Sequence, residues 1–487
     1  MEGNKAYDED MSQTVLLLNP RATDYPKIQQ KSYAPLNLMY IAACLEESGH
    51  HVAICDLNAT MIDDETVQRR IEESNADVFG FPYFSEIANH NRWLSELCRN
   101  ANPQATIVMG GPGASPIPHQ CLEQFPAVDA IVRGEGEWTM QELVNRLDRG
   151  ESLTGCLGVT YRDRLGTVVH NEPRPVETEL DRLPQPARHL VEEVYANGQY
   201  YALLEAHRPV GGIVTSRGCP FSCGFCYNTV KRYRMRSPEN ILEELVLLRR
   251  KHNVRFVEFN DILFTANRKR AKRVFELLIQ ENLGLNFAFK ARAPELNDEF
   301  VALAKRAGAV QIGFGVESGV QAILDRMNKK TTVAQCAKGI EIVRRHGLRC
   351  HTGYVLGYPG ETPETIRQTV DFIVGAKPTT LTIDVLLPYP DTPVYKEAKA
   401  NGTLVGDWSP DMTEYPWVRL PWVRRREDLE EARSWAVNRV FFRPFYAKQF
   451  LHMVVQARNA TLARYMAQET RLALRPKFHV PSRAIGW

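Results

Sequence analysis

What is missing from this 487-residue chain narrows its reading before any motif does. No apolar run approaches the ~20 residues needed to span a bilayer, and Met1–Met11 carries Glu2, Asp8, Glu9 and Asp10 without an apolar core, which is not the pattern of a secretory signal. Neither charge is in excess: 60 Lys and Arg stand against 58 Asp and Glu, a formal +2, so no global electrostatic footprint argues for nucleic acid. There is no disulfide framework either. Cys44, Cys55, Cys98, Cys121, Cys156, Cys336 and Cys350 are scattered through apolar segments, as reduced, buried thiols are. The expected location is cytoplasmic. A chain of this length implies two or three domains at roughly 150 residues each.

From Thr14 to about Gly150, short apolar runs at Val15–Leu18, His51–Cys55, Val78–Phe81, Thr106–Met109 and Asp129–Val132 alternate with helical patterns such as Leu36–Glu47. That alternation predicts a parallel, doubly wound sheet over residues 12–150, Rossmann- or flavodoxin-like, with ligands beyond the carboxyl ends of the strands. Those ends are Asn19-Pro20, Pro82-Tyr83-Phe84-Ser85, Gly110-Gly-Pro-Gly-Ala-Ser115 and Arg133-Gly-Glu-Gly-Glu137. Residues 151–205 read as a linker, with a hairpin-like stretch at Gly158–Val169 and a connector from Pro173 to Pro186.

A second α/β repeat fills residues 206–400, with strands expected at Gly212–Ser216, Arg255–Asn260, Leu285–Lys290, Val310–Val316, Arg349–Leu356 and Leu381–Leu387. Six βα units predict a partial TIM-type (βα)6 barrel, its first helix opened by Ser237 as N-cap and Pro238 at the first helical position. Residues 401–487 read as a helical C-terminal domain rich in tryptophan (Trp408, Trp417, Trp422, Trp435) and, beyond Glu431, in basic residues from Arg433 to Arg483. That surface is either solvated over buried aromatics or a contact for an anionic substrate, partner or membrane surface.

The chemistry gathers at Cys219, Cys223 and Cys226, in Arg217-Gly-Cys-Pro-Phe-Ser-Cys-Gly-Phe-Cys-Tyr227. A structural zinc site takes four ligands; three thiolates on a 4Fe-4S cluster leave one iron open to a small molecule. The CxxxCxxC spacing, with Phe225 before the last cysteine and Tyr227 after it, resembles the radical S-adenosylmethionine (radical SAM) superfamily. The resemblance implies that these cysteines hold a 4Fe-4S cluster, that SAM fills the open position, and that an electron donor such as flavodoxin or ferredoxin reduces it. It also implies SAM contacts elsewhere. Glu317 and Ser318, in Gly313-Phe-Gly-Val-Glu-Ser-Gly319, match the ribose-binding motif, and Gly353 and Gly357, in Gly353-Tyr-Val-Leu-Gly-Tyr-Pro-Gly-Glu361, match the adenine-supporting one. Asn260 and Asp261 stand where the aminoacyl end is contacted, though the family's frequent double acid is here Asp followed by Ile262; Lys290 and Arg292 are placed to pair with the SAM carboxylate.

The N-terminal sheet does not read as an NAD domain, because its first strand runs into Asn19-Pro-Arg-Ala-Thr-Asp24 without the glycines that bring a helix N-terminus to a pyrophosphate. Glycines follow the fourth strand instead. Pro35, Leu36, Gly110, Gly111, Pro112, Gly134 and Glu135 resemble the cobalamin-binding domain fused ahead of the barrel in one radical SAM subfamily, with Tyr83 to Ser85, or a nearby side chain or water, facing cobalt. No DxHxxG box is present, so the resemblance implies base-off cobalamin without a histidine ligand. It extends over residues 14–400 and includes Pro388-Tyr-Pro-Asp-Thr-Pro-Val-Tyr395, with Asp391 where glycine is usual.

The activity implied is methylation of an unactivated carbon or phosphorus centre in a small-molecule, lipid or tetrapyrrole substrate. Oxidative cyclisation or rearrangement without methyl transfer is the alternative within the family, and a non-catalytic cobalamin or redox sensor the alternative outside it. A methylthiotransferase is disfavoured, since Cys44, Cys55 and Cys98 do not gather on loop ends. No nucleic-acid partner is expected; peripheral membrane contact is compatible with the basic C-terminal region.

Overall fold

The computed structural model describes residues 12–21, 31–84, 87–202, 204–227, 230–410 and 415–457. They form two compact units. The first unit contains, of the described residues, 12–21, those from 34 to 199, and 409–410. Its sheet is built from β1 (Thr14–Asn19), β2 (His51–Asp56), β3 (Val78–Pro82), β4 (Thr106–Gly110) and β5 (Ala130–Val132), all parallel, in the order β2-β1-β3-β4-β5. The apolar runs become strands because both sheet faces are covered; β3, at the centre, is buried at every position. The chain leaves β1 to one side and returns to β3 on the other, so the ligand crevice of this topology opens between Asn19-Pro20 and Pro82-Tyr83-Phe84. Helix Leu36–Glu47 runs to Ser48 and stops at Gly49, whose φ of +87° is the left-handed turn that ends helices.

The expected linker takes part in this sheet. β6 (Val159–Arg162) and β7 (Val168–His170) pair antiparallel and extend the edge of β5. Side-chain periodicity does not reveal that pairing, because a hairpin joins a sheet edge through backbone donors and acceptors.

The second unit contains, of the described residues, 31–33, those from 200 to 408, and 415–457. Its six strands, β8 (Gly211–Ile213), β9 (Phe256–Phe259), β10 (Asn286–Lys290), β11 (Ala309–Glu317), β12 (Arg349–Leu356) and β13 (Thr380–Val385), are parallel and adjacent in chain order. Ser237 caps helix Pro238–Arg250 by accepting from the Asn240 amide. Burial along β12 alternates strictly: Cys350, Thr352, Tyr354 and Leu356 are buried, while Arg349, His351, Gly353 and Val355 are half-buried on the opposite face. On β11, Phe314 lies against Gly339 of helix Val333–Arg345, which puts Gly313, Gly315 and Glu317 on the face away from the helices. Phe259, Phe264, Phe275, Phe287, Phe289 and Phe300 pack ring to ring, with centroids 5.1–6.5 Å apart, as one aromatic core.

The strand expected over Gly212–Ser216 is interrupted: β8 ends at Ile213, and Ser216–Arg217 pairs antiparallel with Arg234–Met235. This ribbon closes the base of the cysteine loop. Beyond β13 come the ribbon Leu404–Val405 with Trp417–Val418 and helices Arg426–Phe441 and Pro444–Ala457. Trp417, Val418, Leu420, Val423 and Leu429 share a core with Met327, Tyr358 and Leu386. The basic residues from Arg475 to Arg483 lie outside the described residues. Among the described residues no helix is long and apolar enough to cross a membrane.

Candidate functional site

The cysteine loop is held at several points that do not involve sulfur. Gly218 has φ +77°, and a Cβ there would collide with the Arg232 carbonyl; a Cβ at Gly224 would strike the Tyr358 hydroxyl. The Gly224 amide donates to Met327 O at 2.8 Å and its carbonyl accepts from the Val394 amide at 2.9 Å. Asn328 Nδ2 donates to Ser222 O at 2.8 Å. Tyr227 stacks on Tyr389 at 5.4 Å, and Tyr389 on Trp408 at 4.7 Å.

Cys219 and Cys223 are half-buried and Cys226 is exposed, whereas every other cysteine is buried; all ten are free thiols. Although Cys226 is exposed as a residue, protein atoms packed around its sulfur desolvate it and, with Cys223 and Cys219 adding to the rise, push the thiol up to about 11. Among the described residues no three His, Cys, Asp or Glu side chains converge on a single-ion centre. Three thiols on one tethered loop are the donor set that a 4Fe-4S cluster with one open iron takes.

Glu317 ends β11 with φ +71°, past a register shift between Gly315 and Glu317. Its carboxylate folds back over Gly315, where any Cβ would collide with Oε1, and accepts from Lys329 Nζ at 2.6 Å. Lys329 also stands 5.9 Å over the Phe225 ring. The sequence offered no sign of Lys329, since only the return of the chain after helix Gln321–Arg326 brings it to this strand end.

Beside Glu317, Gly313 and Gly353 leave the non-helical face bare. A Cβ at Gly313 would find nothing nearer than His351 at 3.8 Å, and one at Gly353 nothing nearer than Thr382 Oγ1 at 3.7 Å. Gly315 and Gly353 are register partners on neighbouring strands. Neither the fold nor a positive φ demands glycine at 313 or 353, so the missing side chains keep room for a ligand. This cradle, beside an anchored carboxylate and the cysteine loop, fits an adenosine-bearing molecule.

Other expected contacts have different employment. Asn260 and Lys290 are exposed at their strand ends, as a ligand contact requires. Asp261, one residue on, is only 1 % exposed, and its carboxylate is taken by Thr215 and Ser216. Just past the strand end the chain exposes Asn260 and buries Asp261, and the expected contact of Asp261 to SAM is corrected accordingly. Ser318 is fully buried, its hydroxyl 3.2 Å from Thr369 Oγ1, and serves helix docking. Arg292 donates to Lys330 O at 3.0 Å and Thr331 Oγ1 at 2.9 Å, and covers the Phe221 ring at 3.5 Å. It therefore braces the 329–331 turn and the cysteine loop.

Gly357, with φ +88°, donates to Glu361 Oε2 at 2.5 Å. Glu361 Oε1 is buried without a partner, and burial pushes the carboxyl up to about 8 against the opposing Gly357 bond. The folded-state value lies above the ordinary carboxyl value, so the stability linked to this group is complete below about pH 4.3 and declines as pH rises towards 8. Thermal unfolding should therefore show wild type losing ground to Glu361→Gln between pH 5 and 8. Parallel pH profiles for the two proteins would refute this.

In the first unit, Pro35 and Leu36 are buried at the start of their helix. The glycines after β4 answer partly to the protein itself. Gly111 has φ +100° and lies by the Tyr83 carbonyl, a Cβ at Gly110 would sit 3.0 Å from Val132 O, and one at Gly113 would sit 2.7 Å from the Tyr83 ring. Tyr83 is 1 % exposed, its phenol donating to Pro410 O at 2.5 Å and its ring edge-on to Phe125 at 5.7 Å. This corrects the expectation that Tyr83 faces cobalt. Phe84, 41 % exposed, is the accessible side chain of that segment, and Ser85 lies outside the described residues. Pro112 is exposed and Glu135 half-buried. Gly134 has φ +74° with open space where a Cβ would be, and its amide donates to Ser115 Oγ at 3.1 Å. The two loops thus form a tied, side-chain-poor rim with room for a bulky cofactor.

Comparison with known proteins agrees with this arrangement. Residues 213–373 match the Radical SAM superfamily and residues 30–144 the B12 binding domain. The chain is 30 % identical over 412 residues to an uncharacterized methyltransferase of Pyrococcus horikoshii, covering 83 % of this chain and 87 % of that one. It is 26 % identical over 374 residues to the anaerobic magnesium-protoporphyrin IX monomethyl ester cyclase of Rubrivivax gelatinosus, covering 75 % of this chain and 66 % of the cyclase. Among solved structures, the radical S-adenosylmethionine methyltransferase TsrM of Kitasatospora setae, with tryptophan and a SAM analogue bound, superposes with a TM-score of 0.69 at 21 % identity, over 84 % of this chain and 85 % of TsrM. At that identity the likeness is one of fold.

Proposed function

We propose that this chain, which belongs to the cobalamin-binding radical SAM enzymes, methylates an unactivated carbon or phosphorus centre of a small-molecule, lipid or tetrapyrrole substrate. Its cofactors are a 4Fe-4S cluster, SAM and cobalamin. One observation carries the reading: a radical SAM segment and a B12-binding segment occur together in a chain 30 % identical to a methyltransferase along most of both lengths. When bound, these cofactors supply a hydrogen-abstracting radical and a transferable methyl group.

The chain's own residues bind and orient. Cys219, Cys223 and Cys226 hold the cluster, on a loop whose backbone is tethered at Met327 and Val394. Glu317, fixed by Lys329, accepts from ribose hydroxyls, and the bare strand faces at Gly313 and Gly353 admit the adenosine. Asn260 and Lys290 are the exposed polar groups for the aminoacyl end. In the first unit the loops at Gly111 and Gly134 receive cobalamin, with no DxHxxG histidine to bind the metal. An electron donor such as flavodoxin or ferredoxin completes the set, in the cytoplasm.

The test is a product count. Anaerobic turnover with reductant and a candidate substrate should yield methylated product with equal amounts of 5′-deoxyadenosine and S-adenosylhomocysteine, since the radical step and the renewal of the methyl group consume separate SAM molecules. A dehydrogenated, unmethylated product with 5′-deoxyadenosine alone would favour ring closure, the reaction named for the Rubrivivax relative. No SAM consumption under reducing conditions would favour a sensor.

A further inference from the structure

Asp261 meets a demand that the functional reading leaves unexplained. Its side chain is wholly buried at the end of β9, yet carries a charge and accepts hydrogen bonds on both oxygens. Oδ1 accepts the amides of Thr215, at 2.6 Å, and Ser216, at 3.1 Å. Oδ2 accepts both hydroxyls, that of Ser216 at 2.7 Å and that of Thr215. Every donor comes from the two residues that lead into Arg217-Gly218-Cys219. A carboxylate is a fitting side chain here, because two amides and two hydroxyls can all donate to it at once.

The charge has its own counterpart. Arg270, also buried, lies 3.7 Å from Asp261 Oδ2 and donates to Thr215 O at 2.6 Å and to Thr215 Oγ1 at 3.1 Å. Arg236, on the returning side of the loop, donates through its amide to Thr215 O at 3.0 Å and through its guanidinium to Val214 O at 3.0 Å. Its charge is met by buried Glu244. The segment 214–216 leaves the parallel sheet after Ile213, so it lacks ladder partners of its own until Ser216 meets Met235. Buried backbone groups cannot remain unpaired without cost. The Asp261–Arg270 pair and Arg236 supply what the sheet no longer does.

We infer that Asp261, balanced by Arg270, is a positioning residue for the iron–sulfur cluster: it locks the backbone leading to Cys219 and so sets where the first thiolate stands. This rests on the reading of the cysteine loop as the cluster site, but the bracket exists in the protein without iron and is testable there.

Hydrogen exchange on the iron-free protein should show the amides of Thr215 and Ser216 strongly protected, and Asp261→Ala should raise exchange in this segment by ~10-fold or more, as loss of a local ~1.4 kcal/mol does. Asp261→Asn should fall between, since one amide oxygen can still accept from the two backbone amides while Arg270 loses its counter-charge. After anaerobic reconstitution the same order, wild type then Asn then Ala, should appear as falling iron content and a broadening electron resonance signal of the reduced, SAM-bound cluster. Cobalamin binding should be unchanged in all three, reporting an intact first unit. If Asp261→Ala does not fold, Asp261→Asn and Thr215→Val carry the same comparison. Folded variants with wild-type exchange at 215–216 and a wild-type resonance signal would overturn the inference. Wild-type protein that takes up no iron would instead refute the cluster reading while leaving the exchange result to judge the bracket.

Discussion

Cys223→Ala should leave a folded protein that holds no 4Fe-4S cluster and consumes no SAM under reducing conditions. Two thiolates cannot replace three on a cluster that must leave one iron open. The loop itself should survive, because its fixings are backbone and aromatic: Gly224 to Met327 and Val394, Asn328 to Ser222, Tyr227 on Tyr389. Removing one sulfur from a half-buried side chain disturbs none of these. Iron analysis and visible absorption after anaerobic reconstitution measure the loss, and circular dichroism the retained fold. A variant that keeps the wild-type iron content would show that the cluster lies elsewhere.

Gly353→Leu should separate cluster from ligand. A Cβ at 353 meets only ordinary van der Waals distances, 3.7 Å to Thr382 Oγ1 and 4.0 Å to Gly315 Cα, so the strand should tolerate it. The rest of a leucine would fill the bare face beside Glu317, and overpacking a site by ~3 kcal/mol corresponds to a ~100-fold loss of affinity. Iron content should stay at the wild-type level. The change in the reduced cluster's electron resonance signal on adding SAM should need ~100-fold more SAM. An unchanged SAM titration would place the adenosine away from this strand pair.

These two experiments touch what was most and least legible in the chain. The cysteine triad is a local fact: spacing of 219, 223 and 226 on one loop says what the thiolates can hold, wherever the loop lies. The βα alternation is equally local, because a short apolar run between helical patterns records a buried strand whatever covers it, and β12 appears over Arg349–Leu356 as expected. Ser237 is another such case, its capping role readable from Ser-Pro ahead of an apolar helix.

Asp261 and Tyr83 show the other kind of fact. Asn260 and Asp261 both follow the end of β9, and which of them meets ligand depends on the segments packed against that end. The partners of Asp261 lie 45 and 46 residues away, and that of Tyr83 327 residues away. Lys329 reaches Glu317 only because the helix between them turns the chain back. The sequence alone determined the cofactor chemistry and the order of elements, since both depend on residue type and near spacing. The tertiary structure decided which polar residues serve ligand and which serve loop, since that depends on contacts between strand ends distant in the chain, and a buried charge must take whichever partners folding brings to it.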